Sequence, residues 1–537
     1  MNIHRDPRGG RNFEYYSEDP LLSGHMAAAM INGVQSEGVG ATPKHYAANN
    51  QETSRFALDT IVSERALREI YLRGFEIAVK ESRPWAIMSA YNLINGTYAS
   101  QHKALLATVL RDEWGFDGVV MTDWFAGMDN TPAQMRAGNE LLMPGTPQGT
   151  EQLRKALAAG ELDEATLDRN LRYLLGVVLK SPTSQGYNYS NKPDLVAHAQ
   201  IARAAAAEGI VLLKNDDKTL PLGADIRRIA AFGNTSYDFI SSGTGSGDVN
   251  EAYTVSLVEG LEGQGYQIDA ALKATYTDYI KEEKAKVPPK KAFWEPDQLP
   301  SEMPLSSELI AQQAASAQLA LITLGRTSGE FFDRSLEGDF YLTAAEQALI
   351  ADVSQAFKAA GKRTILILNI GNVVESASWR DQPDAIVLPW QGGQEAGNAL
   401  MDVLTGAVNP SGKLPMTFPA DYQDVPAVDN FPGIATADEP IKFAGLFEVQ
   451  PMRVDYEEGV YVGYRYYDAF DVAPAYEFGY GLSYTDFSYD KLSMSSNSFV
   501  DEMKVSITIT NTGDVSGKEV VQLYLAAPPG GLDKPRR

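Results

Sequence analysis

The residues with the most chemistry to offer are carboxylates and hydrogen-bonding groups placed where apolar runs end. Gly118-Val119-Val120-Met121-Thr122-Asp123-Trp124 reads as a buried strand running straight into a carboxylate. In barrels and open α/β sheets alike, the carboxyl ends of parallel strands carry the active site, which makes Asp123 the best placed functional candidate. Its structural alternative is a helix N-cap, a common post for aspartate. Lys44-His45 follows the apolar Val39-Gly40-Ala41-Thr42 and precedes Asn49-Asn50-Gln51-Glu52; a strand followed by so many hydrogen-bonding groups suits a sugar, whose hydroxyls need planar polar partners. Met88-Ser89-Ala90-Tyr91-Asn92 fits a core strand as well as a site. The turn from Arg5 to Glu14 holds three arginines and two acids, Asp6 and Glu14, and taken alone it reads as a solvated charged loop.

Composition narrows the chemistry. The 537 residues contain no cysteine and only five histidines, which excludes disulfides and thiolate nucleophiles and supplies a multi-histidine metal site poorly. Acids outnumber Lys and Arg by 70 to 46, for a net charge of -24, so nucleic acid is not an expected partner. No apolar run approaches the roughly 20 residues that span a bilayer, and the first residues do not form a signal peptide. The expectation is a multidomain α/β protein without membrane spans, cytoplasmic in location, using carboxylates and no cofactor or metal.

The elements that must position these residues follow from periodicity. From residue 1 to 180, short apolar runs alternate with helical patterns, the signature of repeated β-α units. Ser63 is the expected N-cap of a helix carrying Ala66, Leu67, Ile70, Tyr71, Phe75 and Val79, ahead of a strand over Ala86 to Tyr91. Residues 181–198 are polar and turn-rich and read as a linker. Residues 199–420 show strand-like runs at Ile229 to Phe232, Leu319 to Leu324, Thr364 to Leu368 and Ala385 to Leu388, with an amphipathic helix from Ala344 to Ala360 closed by Gly361. That pattern predicts an open, mostly parallel sheet covered by helices. Residues 421–488 form a connecting segment rich in aromatics and glycine that completes this unit. In residues 489–537, alternating runs at Val505 to Thr510 and Val520 to Leu525 predict the start of an antiparallel β-sandwich.

In order and wording these segments resemble glycoside hydrolase family 3 over nearly the whole chain. The resemblance is carried by NIHRDPRGGRNFEYYSEDP at Asn2 to Pro20, KHYAANNQE at Lys44 to Glu52, MSAYN at Met88 to Asn92 and MTDW at Met121 to Trp124. It continues in VLLKND at Val211 to Asp216, GQEAGNALMDVLTG at Gly393 to Gly406, NPSGKLPMTFP at Asn409 to Pro419 and FGYGLSYTDF at Phe478 to Phe487. It implies a (β/α)8-type TIM barrel, here partial, then an α/β sandwich and the start of a fibronectin type III-like domain.

It also implies a retaining β-glycosidase of β-glucosidase type. Asp123 then matches the nucleophile that forms a glycosyl-enzyme. Arg11, Lys44, His45, Arg55 and Tyr91 match residues that bind the sugar or orient the nucleophile. Met88 matches one lining the subsite, and Trp124 is placed to stack on a sugar face, a core tryptophan being the alternative. Cations around Asp123 are expected to lower its pKa and keep it charged at neutral pH. Ser328-Gly329-Glu330-Phe331-Phe332-Asp333-Arg334 resembles the loop that carries the acid/base, which assigns that role to Glu330 with Asp333 as the fallback. The alternative for Glu330 is a surface pair with Arg334. Phe331 departs from the glycine that many members have there.

The glycine-rich run Ser241 to Gly247 raises a rival, a nucleotide-binding α/β protein. It lacks the Walker lysine and has Asp248 where a dinucleotide motif needs glycine; by resemblance the loop instead borders the sugar site, with Ser246 as a contact. The N-acetylglucosaminidase branch, with its glycine- and proline-rich stretch after Lys-His, is disfavoured by Tyr46-Ala47-Ala48. Alternatives that remain open are β-xylosidase or a related exo-glycosidase, and an inactive sugar-binding protein. No match for the family's early sugar-gripping aspartate occurs, so the chain reads as truncated at both ends. Expected partners are a small-molecule or oligosaccharide β-glucoside and a second copy or further chain that completes the barrel.

Overall fold

A computed structural model describes residues 1–290, 295, 298–443, 447–525 and 530. The molecule is mixed α/β with parallel sheets. In the first region, strands Ala86–Ser89 and Val119–Thr122 pair in parallel, with Met88 opposite Met121 and Ser89 opposite Thr122. Single parallel bridges, Tyr46 to Ser89 and Met121 to Leu141, extend this pair on both sides. Four chain segments thus run side by side in one direction, and their carboxyl ends lie at one edge.

The helices behind them bury the apolar positions expected from sequence. Ser63 caps its helix by accepting the Ala66 N–H at 3.2 Å, and Phe75, Ala78 and Val79 of helix Arg73–Ser82 are buried. Leu105, Leu106, Val109 and Leu110 are buried in Ala104–Glu113, which takes the wider π-helical winding. On helix Glu164–Lys180, by contrast, Leu171, Leu175 and Leu179 repeat at helical spacing and are exposed.

The second region is a six-stranded sheet. In spatial order it runs Val211–Asn215, Ala385–Leu388, Arg363–Ile370, Leu319–Arg326, Arg228–Phe232 and Gln267–Ile268, parallel except for the first pair. Its residues divide by alternation: Ala320, Ile322 and Leu324 join one core, Leu319 and Leu321 the other. Both faces are covered, which is why these strands read as continuous apolar runs. Helix Ala344–Ala359 carries a capping box of Thr343 and Glu346 and is followed by Gly361 at φ +70°.

Three features depart from expectation. Helix Leu195–Gly209 begins inside the segment read as linker, because Asp194 caps it by accepting the Ala197 N–H at 3.0 Å. The chain after the second sheet returns to the first region: strand Met452–Asp455 pairs in parallel with Leu58–Ile61, and Ile434–Ala435 adds to its other edge. Strand Val505–Asn511 does form, antiparallel to Phe487–Met494, but Val520 to Leu525 is not a strand. Alternation there marks a face, while a strand also needs a neighbour to take its backbone hydrogen bonds; its Val520, Leu523 and Leu525 are exposed. Except for Gly530, the remainder of the expected last domain lies outside the described residues.

Besides the Arg55–Glu330 pair, the two regions meet where their backbones come into direct contact. A Cβ on Gly10 would stand 1.8 Å from the Phe332 carbonyl oxygen and 2.6 Å from that of Gly329, so only glycine lets the two loops touch. Gly10→Ala should force them apart and destabilise the protein by about 1–3 kcal/mol, seen as a lower melting temperature; an unchanged melt would mean the contact is dispensable.

Candidate active site

Asp123 follows strand Val119–Thr122 and stays in the ladder, its N–H donating to the Ser89 carbonyl at 3.1 Å. The side chain is buried. Oδ1 accepts the Trp124 N–H at 2.8 Å. Oδ2 faces His45 Nε2 at 3.4 Å and accepts no hydrogen bond among the described residues. The next α-helix, Thr131–Ala137, is capped by Asn130, which removes the N-cap alternative for Asp123.

Burial pushes the Asp123 carboxyl above the usual range, opposed by the Trp124 N–H and by the charges of Arg55, Arg11 and Lys44. The expectation that the cations would lower it is therefore reversed in direction, because desolvation outweighs them. Burial, reinforced by Arg11, Lys44 and Arg55, holds His45 well below its ordinary value, so the imidazole meets Asp123 as a neutral group. Burial and the adjacent Asp123 charge together raise the Tyr91 hydroxyl.

The second carboxyl arrives from the other region. Glu330 Oε1 accepts from Arg55 Nη1 at 2.7 Å and lies 3.4 Å from Arg11 Nη1, while Oε2 accepts the Ser246 N–H at 2.8 Å. Arg334 instead pairs with Asp339 at 2.6 Å, so the surface-pair alternative fails. Burial acts to raise Glu330, but Arg11, Arg55 and Ser246 together outweigh it and bring the carboxyl down to about 2. The glycine-rich loop spends its Ser246 amide on this carboxylate. Gly245, at φ +87°, sits where a Cβ would come within 2.4 Å of the Glu330 Cβ, which accounts for that glycine without a phosphate.

Arg55 joins the two carboxyl neighbourhoods: its guanidinium carbon lies 4.7 Å from the Tyr91 ring centroid and 4.3 Å from that of Phe331. Arg11 is buried and pairs with Glu14 at 2.6 Å, with Ser246 Oγ at 3.4 Å. Lys44 and Met88 are half-buried. Trp124 is 50% exposed, which rules out the core reading and leaves its ring facing solvent beside Asp123. Among the described residues no group of acids and histidines is arranged to hold a metal ion.

Glu52 lay in a quoted motif without an assigned role, and Asp333 was named only as the fallback acid/base. Glu52 accepts from Arg55 at 2.8 Å and from the Phe331 N–H at 2.7 Å. Asp333 is not a free acid: Oδ1 accepts from the N–H groups of Gly10 and Glu52, and Oδ2 from Thr53 N–H and Oγ1. The three-residue step from Glu52 to Arg55 was the only signal for the first; nothing in the sequence marked the second as a clasp.

Residues 1–177 match the glycosyl hydrolase family 3 N-terminal domain and residues 210–484 the family 3 C-terminal domain. The chain is 38% identical over 549 residues to an exo-α-(1->6)-L-arabinopyranosidase of Bifidobacterium longum and 37% identical over 550 residues to thermostable β-glucosidase B of Acetivibrio thermocellus. In each case the whole chain aligns with 66% of the relative, so it spans about two thirds of their length. The structure of β-glucosidase 3B from Thermotoga neapolitana in complex with glucose superposes with a TM-score of 0.93 at 51% identity, covering 100% of this chain and 74% of that one. The chain belongs to glycoside hydrolase family 3.

Proposed function

We propose that this chain carries the reacting centre of a retaining β-glycosidase that releases terminal, non-reducing β-D-glucose from small glucosides or oligosaccharides. The observation that carries the reading is the meeting of two carboxyl groups from separate regions around Arg55 and Tyr91, one of them with an unbonded buried oxygen. Asp123 Oδ2 attacks the anomeric carbon while Glu330 gives its proton to the leaving oxygen; Glu330 then takes a proton from water, which displaces Asp123 with net retention. Arg11, Lys44, His45, Arg55, Tyr91, Met88, Trp124 and Ser246 surround the sugar. The first region is read as part of a (β/α)8 barrel, supported by its four adjacent parallel segments, and residues 489–525 as the start of a fibronectin type III-like unit.

Glu330 must be protonated for the first step, and its present partners keep it charged. Sugar hydroxyls that engage Arg11 and Arg55 would draw both cations away, leaving burial, the largest influence on Glu330, to raise its pKa. Asp123 needs its charge, and burial already works against that. Both carboxyls are lowered by Arg11. Arg11→Gln should therefore move the whole pH-rate profile to higher pH; a profile that stays put or moves to lower pH would show that Arg11 does not set these two groups.

A hexosidase and an arabinopyranosidase stand at nearly equal identity to this chain, which favours a pentoside as the second reading. Aryl β-glucoside, β-xyloside and α-L-arabinopyranoside should be hydrolysed in parallel, with the glucoside fastest. Asp123→Ala should abolish turnover, and a 2-fluoro-glucoside should label Asp123 in the unmodified protein. Glu330→Ala should lose about 10²–10⁴-fold on poor leaving groups. Undiminished turnover by Asp123→Ala would defeat the mechanism, while turnover absent from the unaltered chain despite glucose binding would favour a sugar-binding protein.

A further inference from the structure

The loop bearing Glu330 is held in a conformation it would not choose by itself. Phe331 has φ +80°, a left-handed backbone costing a residue with a Cβ about 1–2 kcal/mol. On the side of its own region the loop is fastened to Thr244, whose N–H donates to Ser328 O at 2.9 Å and whose carbonyl accepts the Glu330 N–H at 3.2 Å. From the first region, Glu52 Oε2 accepts the Phe331 N–H at 2.7 Å, and the Asp333 carboxylate gathers the backbone of Gly10, Glu52 and Thr53. Glu330 is thus pinned on both sides, and the pin immediately after it is a buried carboxylate.

Glu52 also shares Arg55 Nη1 with Glu330, at 2.8 and 2.7 Å. A buried guanidinium needs a compensating anion. If Glu330 were its only one, Glu330 would be held ionised; with Glu52 in place, Arg55 stays compensated when Glu330 gains a proton.

We infer that Glu52 is the positioning residue for the acid/base carboxyl: it fixes the Phe331 backbone across the interface and keeps Arg55 paired while Glu330 passes its proton. The inference rests on Glu330 acting as proton donor. Burial, aided by the Asp333 charge, works against the Glu52 charge and brings its carboxyl to about 7, while Arg55, Arg11 and the Phe331 N–H hold it down, so the charge that pairs with Arg55 is present in full only above neutral pH.

Leaving-group dependence separates this role from plain scaffolding. A 2,4-dinitrophenyl glucoside departs without a proton, whereas a methyl or unsubstituted phenyl glucoside needs one. Glu52→Gln removes the charge, and Glu52→Asp is too short to reach Phe331 and Arg55 together. Both should lose about 10²-fold in kcat/KM on the poor leaving groups, the scale of a small misplacement of a reacting group, and stay near the parent rate on the dinitrophenyl substrate. Two variants guard against one failing to fold, and melting curves report on each. An equal loss on every substrate, or no loss on the poor ones, overturns the inference. Glu330→Ala run in parallel should show the same selectivity with recovery by azide; if it does not, the acid/base assignment itself falls, and if it does while the Glu52 variants do not, only the role of Glu52 falls.

Discussion

Arg55 is the group on which both halves of the molecule converge. Only 2% exposed, it gives one nitrogen to Glu52 of the first region and Glu330 of the second. Taking a guanidinium out of water costs several kcal/mol unless it is paired, and stripping one partner from a buried ion pair costs about 3–5 kcal/mol. The left-handed turn at Phe331 costs about 1–2 kcal/mol. The bonds from Arg55 to Glu330 and from the Phe331 N–H to Glu52 hold that turn against the first region, and the Phe331 ring that makes the turn costly lies against the guanidinium at 4.3 Å.

The same cations have opposite outcomes at the two carboxyls, and contact explains why. Glu330 touches Arg55 and accepts an amide besides, so direct charge-assisted bonds overcome its burial. Asp123 accepts its neighbour's amide and interacts with the Tyr91 hydroxyl, but feels Arg11, Arg55 and Lys44 as charges without a bond. Desolvation prevails there. A buried oxygen without a close hydrogen bond has little solvation to shed, which suits the nucleophile proposed for Asp123 once it is ionised. A carboxyl clamped by two guanidiniums is in the state of a poor acid, and only a ligand that competes for those guanidiniums converts it.

Much of the site could be read from residue order because its parts are local. MTDW is a buried strand ending in the carboxylate proposed as nucleophile, and the nearly continuous apolar run within Leu319–Arg326 signalled a sheet covered on both faces. What sequence could not carry was long-range. Met452–Asp455 joins Leu58–Ile61 across nearly 400 residues, with no signal beyond β-propensity to name its partner. Val520 to Leu525 alternates yet pairs with nothing among the described residues, since alternation specifies a face and not a neighbour. The direction of the Asp123 shift escaped for a related reason: neighbouring cations can be counted in a motif, but depth of burial cannot.

The interface around Glu330 is built from directional bonds, and a carboxyl that must be placed accurately requires that. Apolar contact is roughly proportional to area and indifferent to small sliding, so it would hold two domains together without fixing an oxygen to a fraction of an ångström. Asp333 accepts four hydrogen bonds from three first-region residues, and three of those donors are main-chain N–H groups. Main-chain donors cannot change rotamer, so the register between the loops is set by the backbone itself. The absence of a Cβ at Gly10 lets that backbone come close enough for the bonds to form. Phe332 and Trp124, 45% and 50% exposed, are left outside the clasp, where aromatic faces remain open to solvent while Glu330 stays fixed within it.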